Sequence, residues 1–498
     1  MIAVVMKRVT PLLENKRAVM GVLSVLVLMA TVFPPASLGA MLIMWMYRND
    51  IVEGFSKALE PQRRWVLWLP AVIVVAFTVF KGGSSLPDDL NRHLTSYLHG
   101  YDYSGWYLYS DPRTPHSSMW IGFEWLVGHF HLWFGLFWAT QLMQALAFTW
   151  VIWLFTVLFL RLLQDHPERM LMTALGVTAV LYSGVLARVQ AGRPEVFLSM
   201  LAISALLATS KPKVVLWTLL MLAAQPLYWL AAVYAPSALL LPNRSWPVRM
   251  AIAALIAIFG IAAWIFYAGP EWYGFFALLK DWFGNRVFRV SENNSIYQLM
   301  FVPGSLILVL VALMFSERQD FTKNLPVLLV MAWFLAPNQV RYASVVGPLI
   351  AVIAVRGINA HPFTMSAAQR FIAVAAMVGI LIGRMYGPGY DFSPTFDTLK
   401  GDERVLTMFE QSTFFLPAQY PGLRVAPHLE AGATEKGVQE ILISTIRNRK
   451  MDCEKLALYP DFTHVVDRNI EEIAPCLELQ EMHREWRLWR IKTPEAAK

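Results

Sequence analysis

Residues 138–160 read WATQLMQALAFTWVIWLFTVLFL, a run of 23 residues with no charged side chain. A membrane-spanning helix needs about 20 consecutive, mostly apolar residues, so this run is long enough to cross a bilayer. Further apolar stretches, several of them shorter, lie at residues 18–33, 36–47, 65–80, 170–187, 196–210, 213–223, 227–241, 250–268, 299–316, 325–337, 342–356 and 370–387. We therefore predict a polytopic α-helical membrane protein with about 11–13 membrane helices, several of them short or re-entrant.

The composition of the whole chain supports this class. Of 498 residues, 56% are hydrophobic and 15% are charged, and the mean hydropathy is +0.46. Soluble globular proteins carry about 25% charged residues, so a chain of several ordinary soluble domains is excluded. The formal net charge of +7 does not indicate nucleic acid, because membrane proteins concentrate Lys and Arg in their cytoplasmic loops. We expect membrane lipid around the chain and no nucleic acid partner.

Two of the apolar regions are too short for the two crossings that their proline breaks imply. Residues 18–47 contain Pro34-Pro35 and have basic residues on both sides, which favours a bent or re-entrant pair. A cleavable signal sequence ending near the small residues 36–40 is the alternative for this region. Residues 214–241 contain Pro226, and we expect broken helices around an internal cavity there, where irregular backbone is tolerated.

The distribution of Lys and Arg predicts the orientation. With a cytoplasmic N-terminus, the inside segments hold 18 Lys and Arg in 76 residues, and the outside segments hold 9 in 102. This asymmetry follows the positive-inside rule. We expect a multi-pass protein of the cell inner (cytoplasmic) membrane, with its C-terminal residues on the extracytoplasmic, periplasmic side.

The chain divides into a transmembrane domain at residues 1–387, with its first extracytoplasmic loop at 81–137, and a soluble extracytoplasmic α/β domain at 388–498. In the second domain, the pattern predicts helices at 402–411 and 434–449 and strands at 463–466, 476–482 and 486–491. The two cysteines of the chain, Cys453 and Cys476, lie in this domain. On the oxidising side of a membrane they are expected to form a disulfide, and two free buried thiols are the alternative.

An acidic motif follows an early apolar run directly. Residues 87–93 read PDDLNRH, in which the proline and the two acids are typical of a helix start. Helical spacing then brings Asp88 beside Arg92 and Asp89 beside His93. Two adjacent carboxylates repel each other, so one should hold its proton more tightly, which suits a general base or a divalent-metal ligand. The alternative is structural, since acids in a first helical turn stabilise the helix dipole by about 0.3–1 kcal/mol.

Arginines occur on the outside face, where the positive-inside rule depletes them. Residues 188–195 read RVQAGRPE and contain Arg193, residues 337–342 read PNQVRY and contain Arg341, and the loop 269–298 contains Arg286 and Arg289. Charges at such depth usually face a polar cavity, and the planar guanidinium matches phosphate oxygens. Each arginine alone is also compatible with anchoring to lipid headgroups. Together they indicate a site for an anionic ligand attached to something in the membrane.

The rest of the first loop is rich in aromatic residues, including Trp120, with Glu124 close by. Aromatic rings with scattered polar groups hold sugar faces, because the ring offers an apolar plane and the polar groups fix the orientation. An aromatic belt at the membrane interface explains the same composition without a ligand. The sequence contains no HExxH zinc motif, no Walker loop and no GxSxG.

The layout resembles the GT-C class of membrane glycosyltransferases. The resemblance rests on residues 87–93 after an early helix and on Arg341-Tyr342 followed by Pro348, and Arg193-Pro194-Glu195 is similar to a turn of some relatives. It covers most of the chain, although the N-terminal pair at 18–47 precedes the helix that should come first. The arabinosyltransferases of the class are the nearest group, and no subfamily of known substrate matches in full.

This resemblance implies an enzyme, a hexosyl- or pentosyltransferase, that moves a sugar from a polyprenyl-phosphate donor to a hydroxyl of a glycan, lipid or protein. A carboxylate of the acidic motif would be the general base, either without a cofactor or with Mg²⁺ or Mn²⁺. A transporter or flippase of lipid-linked sugars and an O-antigen-type polymerase or ligase are the alternatives. The implied site residues are Asp88 and Asp89 for catalysis and any metal, Arg92, His93, Arg193 and Arg341 for the donor phosphate, and Trp120, Glu124, Glu195, Arg286, Arg289 and Tyr342 for substrate.

Overall fold

The computed structural model describes residues 64–80, 88–102, 106–109, 120–190, 192–225, 228–268, 309, 311–312, 314, 321–335, 343–385, 395–408, 416–417, 419–420, 422–426, 435–468, 470, 472 and 474–492. The predicted pair at residues 18–47 lies outside these ranges.

The described part of the chain is mostly helical. After a 3₁₀ turn at Arg64–Trp68, the helices are α1 Leu69–Phe80, α2 Asp88–Leu98, α3 Ile121–Leu162, α4 Arg169–Val180, α5 Leu186–Gln190, α6 Glu195–Ile203, α7 Lys211–Ala224, α8 Trp246–Ala268, α9 Phe321–Leu335, α10 Ala343–Ala360, α11 Ala367–Met385, α12 Lys436–Asn448 and α13 Cys453–Leu456. A 3₁₀-helix at Trp229–Leu240 lies between α7 and α8.

Two segments of these helices are long and apolar enough to cross a membrane, Trp138–Leu162 in α3 and Trp246–Phe266 in α8. Several shorter apolar helices accompany them, such as α10 and α11, so the number of crossings stays a prediction. The outward surface of α8 is itself apolar: the side chains of Ile258 and Phe266 are 68% and 81% exposed. Such a surface is unfavourable in water and favourable against lipid tails.

Breaks in the helices occur at glycines and near proline. Helix α3 changes direction at Gly135, whose φ of 78° lies in the left-handed region. A π-helical turn at Leu181–Val185 joins α4 to α5 and contains Gly184 at φ 109°. The interruption predicted at Pro226 falls between the end of α7 at Ala224 and the 3₁₀-helix that follows.

The C-terminal residues form a five-stranded mixed sheet in the order β2-β1-β3-β5-β4. The strands are β1 Arg404–Thr407, β2 Arg424–Ala426, β3 His464–Asp467, β4 Leu477–His483 and β5 Trp486–Ile491. Strand β1 is parallel to both β2 and β3, and β5 is antiparallel to β3 and β4. Helix α12 covers the sheet with Val438, Ile441, Leu442 and Thr445, the i, i+3, i+4, i+7 spacing of one helical face.

The predicted helix at 402–411 is wrong in its central part, where strand β1 lies instead. Strand β1 is parallel to a neighbour on each side, and Val405 and Leu406 are both fully buried. A strand covered on both faces has a continuous apolar run without alternation, so its periodicity does not distinguish it from a buried helix. The predicted helix at 434–449 corresponds to α12, and the three predicted strands correspond to β3, β4 and β5.

The first loop contributes a segment to this sheet. Residues 106–109 lie beside β2: the Leu108 N–H donates to the Val425 carbonyl (2.7 Å), and the Val425 N–H donates to the Trp106 carbonyl (2.8 Å). The side chains of Trp106, Tyr107 and Leu108 are buried in the apolar clusters of the sheet domain. The rings of this segment therefore belong to the core of the C-terminal domain, where they form neither an aromatic belt nor a sugar platform.

Candidate functional site: a buried polar helix

Helix α2 is polar and yet buried. All seven residues from Leu90 to Ser96 are buried, and among them Asn91, Arg92, His93, Thr95 and Ser96 are polar or charged. Polar side chains rarely lie in a protein interior unless they are hydrogen-bonded, because removing them from water costs free energy. Two turns of buried helix with this composition indicate a polar functional site.

The centre of the site is a chain of hydrogen bonds between α2 and the start of α3. His93 Nδ1 lies 3.1 Å from Glu124 Oε1, and Ser96 Oγ donates to Glu124 Oε2 at 2.9 Å. Arg92 Nη2 lies 3.3 Å from His93 Nε2. The side chains of His93 and Glu124 have no exposed surface.

Burial and nearby cations favour the neutral form of the His93 imidazole. Burial, the Arg92 guanidinium and the Arg193 guanidinium lower the pKa of His93 well below its ordinary value. A neutral ring donates from one nitrogen and accepts at the other. Because Glu124 offers an acceptor and Arg92 offers a donor, the proton is assigned to Nδ1, and Nε2 accepts from Arg92.

The turn that carries Arg193 packs against α2. Gly192 has a φ of +70°, and a Cβ added to it would lie 2.9 Å from the Leu90 Cβ. The turn is closed by a hydrogen bond from the Arg193 N–H to the Arg188 carbonyl and by an ion pair between Arg188 and Glu195 at 3.4 Å. The structure thus places the Arg193 turn against α2 at Leu90.

A second contact brings the N-terminal end of α10 to the same region. Ser199, one turn after Glu195 in α6, shares a hydrogen bond of 2.8 Å with Ser344 in the first turn of α10. The Tyr234 hydroxyl of the 3₁₀-helix lies 3.4 Å from the Ser199 hydroxyl. The first turn of α10 therefore lies beside α6.

Trp120 and Glu124 are predicted from the sequence to bind substrate, and both are buried. The Trp120 ring is stacked on Tyr228, with centroids 4.0 Å apart and an angle of 15° between the planes. Its edge faces His93 at 5.7 Å. Trp120 therefore packs against one side of His93, and one face of its ring is covered by Tyr228.

Several predicted residues lie outside what the structure describes. Asp88 and Asp89 begin α2, although their side chains are outside the described set, and the same holds for the whole of Arg286, Arg289, Arg341 and Tyr342. Among the described residues, no three His, Cys, Asp or Glu side chains come together to hold a metal ion. Cys453 and Cys476 are joined in a disulfide, as the sequence predicts.

Sequence reasoning did not identify Ser96, Ser199 or Ser344 as site residues. Ser96 could have been found, because it lies three positions after His93 and therefore on the same helical face. The pair Ser199 and Ser344 gives no such signal, since the two residues are 145 positions apart and meet through tertiary packing.

Fold and site together define a mostly helical protein with membrane-length apolar helices, a small mixed sheet, and a buried polar helix that packs against α3. No protein-family model matches the chain, and no curated protein matches its sequence. Among solved structures, it is similar to the oligosaccharyltransferase of Archaeoglobus fulgidus in the apo form, with a TM-score of 0.41 and 12% identity over 81% of this chain and 69% of that chain. It is also similar to the archaeal oligosaccharyltransferase AglB from Archaeoglobus fulgidus in complex with an inhibitory peptide and a dolichol-phosphate, with a TM-score of 0.42 and 11% identity over 80% and 68% of the two chains.

Both neighbours are named as oligosaccharyltransferases. At this identity and these TM-scores the similarity carries no argument about activity. The function is therefore argued from the residues of the site.

Proposed function

We propose that the chain is a GT-C-class glycosyltransferase that moves a sugar from a polyprenyl-phosphate donor to an acceptor hydroxyl at the extracytoplasmic face of the membrane. The acceptor is a glycan, a lipid or a protein, and the sugar is a hexose or a pentose. The chain would lie in the inner membrane with about 11–13 crossings and its sheet domain outside the cytoplasm.

One observation carries the proposal: α2, which begins with Asp88 and Asp89, is polar, buried and packed against the turn of Arg193. Carboxylates and guanidinium groups at one place suit a reaction that deprotonates a hydroxyl and releases a phosphate. The burial of Arg92, at 5% exposure, separates its charge from bulk water, which strengthens its attraction to an anion.

The proposed reaction is a substitution at the anomeric carbon of the donor sugar. The acceptor oxygen forms the new bond to this carbon, while Asp88 or Asp89 takes the hydroxyl proton. The bond from the carbon to the phosphate oxygen breaks, and the polyprenyl phosphate leaves with the bonding electrons. Arg92, Arg193 and Arg341 would stabilise the negative charge that grows on the phosphate.

The remaining predicted residues have supporting roles in this proposal. Glu195, Tyr342, Arg286 and Arg289 would contact the donor or the acceptor. If the reaction uses Mg²⁺ or Mn²⁺, the oxygen-rich set of Asp88, Asp89 and the donor phosphate is the kind of ligand set that these ions prefer. The ion would then neutralise phosphate charge.

The test is the separate and combined replacement of the two acids, Asp88→Asn and Asp89→Asn. Sugar transfer from a polyprenyl-phosphate donor is measured at matched protein levels, with and without a chelator. Since general-base assistance contributes about 10²–10⁴ in rate, we expect a loss of this size in at least one single variant and in the double variant. Asp102→Asn, an exposed acid just beyond α2, is the control and should keep its activity.

If the double variant transferred sugar at the wild-type rate, the general-base role of Asp88 and Asp89 would be contradicted. If the chain moved lipid-linked sugars across a bilayer and formed no glycosidic bond, the transporter alternative would be supported. Loss of transfer on replacing Arg193, with full activity in both acid variants, would point to an O-antigen-type polymerase or ligase.

A further inference from the structure

We propose that Glu124 is a positioning residue that acts through His93 to hold the Arg92 guanidinium at the acidic end of α2, where it meets the phosphate of the donor. This inference rests on the proposed function and deepens it. It replaces the sequence-based expectation that Glu124 and His93 themselves contact substrate and phosphate.

Glu124 is fully engaged with the protein. One carboxylate oxygen accepts from His93 and the other accepts from Ser96, at 3.1 Å and 2.9 Å. Its side chain has no exposed surface, so contact with a substrate would require both bonds to break. The carboxylate therefore acts on the residues around it.

His93 is held in one orientation by its neighbours. The Phe123 ring meets it edge-on with centroids 4.9 Å apart, and the Trp120 ring meets it at 5.7 Å. The hydrogen bond to Glu124 keeps the proton on Nδ1, which leaves Nε2 as an acceptor facing Arg92. If the carboxylate were removed, the ring would be free to carry its proton on Nε2 and would no longer accept from the guanidinium.

This arrangement holds the Arg92 guanidinium in one position through its hydrogen bond to His93. Its long side chain has many rotamers, and fixing a guanidinium before the ligand arrives avoids reorganisation when phosphate charge develops. Arg92 lies one helical turn after Asp88 and therefore on the same face of α2. The chain of contacts from Glu124 through His93 to Arg92 thus sets the position of a cation beside the acidic motif.

A double-mutant cycle tests the inference. Glu124→Leu removes the acceptor, Glu124→Gln keeps an acceptor for His93, and Arg92→Met removes the guanidinium. We expect Glu124→Leu to lower kcat by about 10-fold in the wild-type background and by less than about 2-fold in the Arg92→Met background, because residues of one hydrogen-bond network are energetically coupled. Glu124→Gln should recover most of the loss.

The matched control is Glu168→Leu. Glu168 is another carboxylate with no exposed surface, and it is paired with Arg370 at 2.7 Å in a different part of the bundle. Its replacement should lower the melting temperature much as Glu124→Leu does, without changing kcat per folded protein and without coupling to Arg92→Met. Equal losses of kcat for Glu124→Leu in both Arg92 backgrounds, or no loss at all, would overturn the inference.

The same variants are also compared by their Kd for a polyprenyl phosphate without sugar. This Kd is measured by tryptophan fluorescence on the full chain in detergent. The inference is supported if Glu124→Leu weakens binding in the wild-type background and has no effect on binding in the Arg92→Met background. If the wild-type protein binds the lipid in this way and transfers no sugar, only the proposed function is defeated. Additive effects on both kcat and Kd, in a protein that does transfer sugar, defeat only the inference.

Discussion

His93 and Glu124 are ionisable side chains that are buried together and hydrogen-bonded to each other. Neither has exposed surface, and the carboxylate accepts hydrogen bonds from both His93 and Ser96. The neutral imidazole is favoured because burial and two guanidinium groups oppose the positive charge of a second ring proton. The protonation state of His93 is thus a property of the folded protein.

This protonation state predicts a pH dependence of stability. The pKa of His93 is lowered in the folded state, so the unfolded chain takes up the proton first, near its ordinary value of about 6.5. The contribution of the neutral ring to the free energy of unfolding is therefore present above about pH 6.5 and is lost as the pH falls toward the folded-state pKa. We expect the melting temperature to fall between pH 8 and pH 5 by more in the wild type than in His93→Gln.

The control for this comparison is His361→Gln, an exposed histidine in the loop between α10 and α11. It should leave the wild-type difference between the two pH values unchanged. An equal fall in the wild type and in His93→Gln would show that His93 does not carry the pH dependence.

At the scale of elements, two glycines allow α2 to be enclosed. Gly128 of α3 lies against the Tyr97 ring of α2, where an added Cβ would clash with the ring atoms. Gly192 lies against Leu90 from the other chain segment. Because neither glycine has a side chain, α3 and the Arg193 turn approach α2 closely enough to cover its polar residues.

Gly192→Ala should separate these elements. Its φ of +70° is unfavourable for alanine, and the new Cβ would lie 2.9 Å from the Leu90 Cβ. We expect a loss of about 1–3 kcal/mol in the free energy of unfolding and a fall in sugar transfer, as Arg193 moves away from α2. Denaturant unfolding in detergent and the transfer assay measure the two effects.

Gly383→Ala is the matched control. It lies within α11, and no described atom comes within 4 Å of a Cβ placed there. Alanine should be neutral or stabilise the helix by up to about 1 kcal/mol, with unchanged transfer. If both alanine variants behaved alike, close packing at Gly192 would not be what positions the turn.

At the scale of the whole molecule, the first loop joins the helical part to the C-terminal sheet. The segment 106–109 pairs with β2, and the Glu435 N–H, just before α12, donates to the Tyr109 carbonyl at 2.7 Å. The hydroxyl of Tyr109 donates to Asp461, and burial together with this bond raises the pKa of Tyr109 to about 12. The loop that follows α2 is thereby fixed to a domain encoded about 300 residues later.

Trp106→Ala should therefore destabilise the C-terminal domain. The Trp106 side chain has 0% exposure and lies in the same apolar cluster as Val405 and Val425. Truncation of a buried tryptophan costs about 3–5 kcal/mol, so we expect faster hydrogen exchange at the Val425 amide and a lower melting temperature for the domain. Trp133→Ala, at a tryptophan that is 66% exposed, is the control and should leave the exchange rate unchanged.

Unchanged exchange at Val425 in Trp106→Ala would show that the sheet does not depend on the loop segment. The C-terminal domain would then be independent of the first loop in stability.

Much of the fold follows from local pattern. The apolar runs predicted the helical class because each is read from a contiguous window, and α12, β3, β4 and β5 were visible from their own periodicity. The pattern predicts a helix where β1 lies and no element at β2, because both strands are short and their residues are buried without alternation. The contribution of residues 106–109 to the sheet had no local signal.

For the site, the sequence by itself determined which residue types are available: an acidic helix start, Arg92 and His93 behind it, and arginines on the outside face. Only the tertiary structure decided that Glu124 accepts from His93, that the Arg193 turn packs on Leu90, and that Ser199 meets Ser344. The physical reason is distance along the chain. Hydrogen bonds and close packing between remote segments depend on how helices approach each other, and no window of sequence contains both partners.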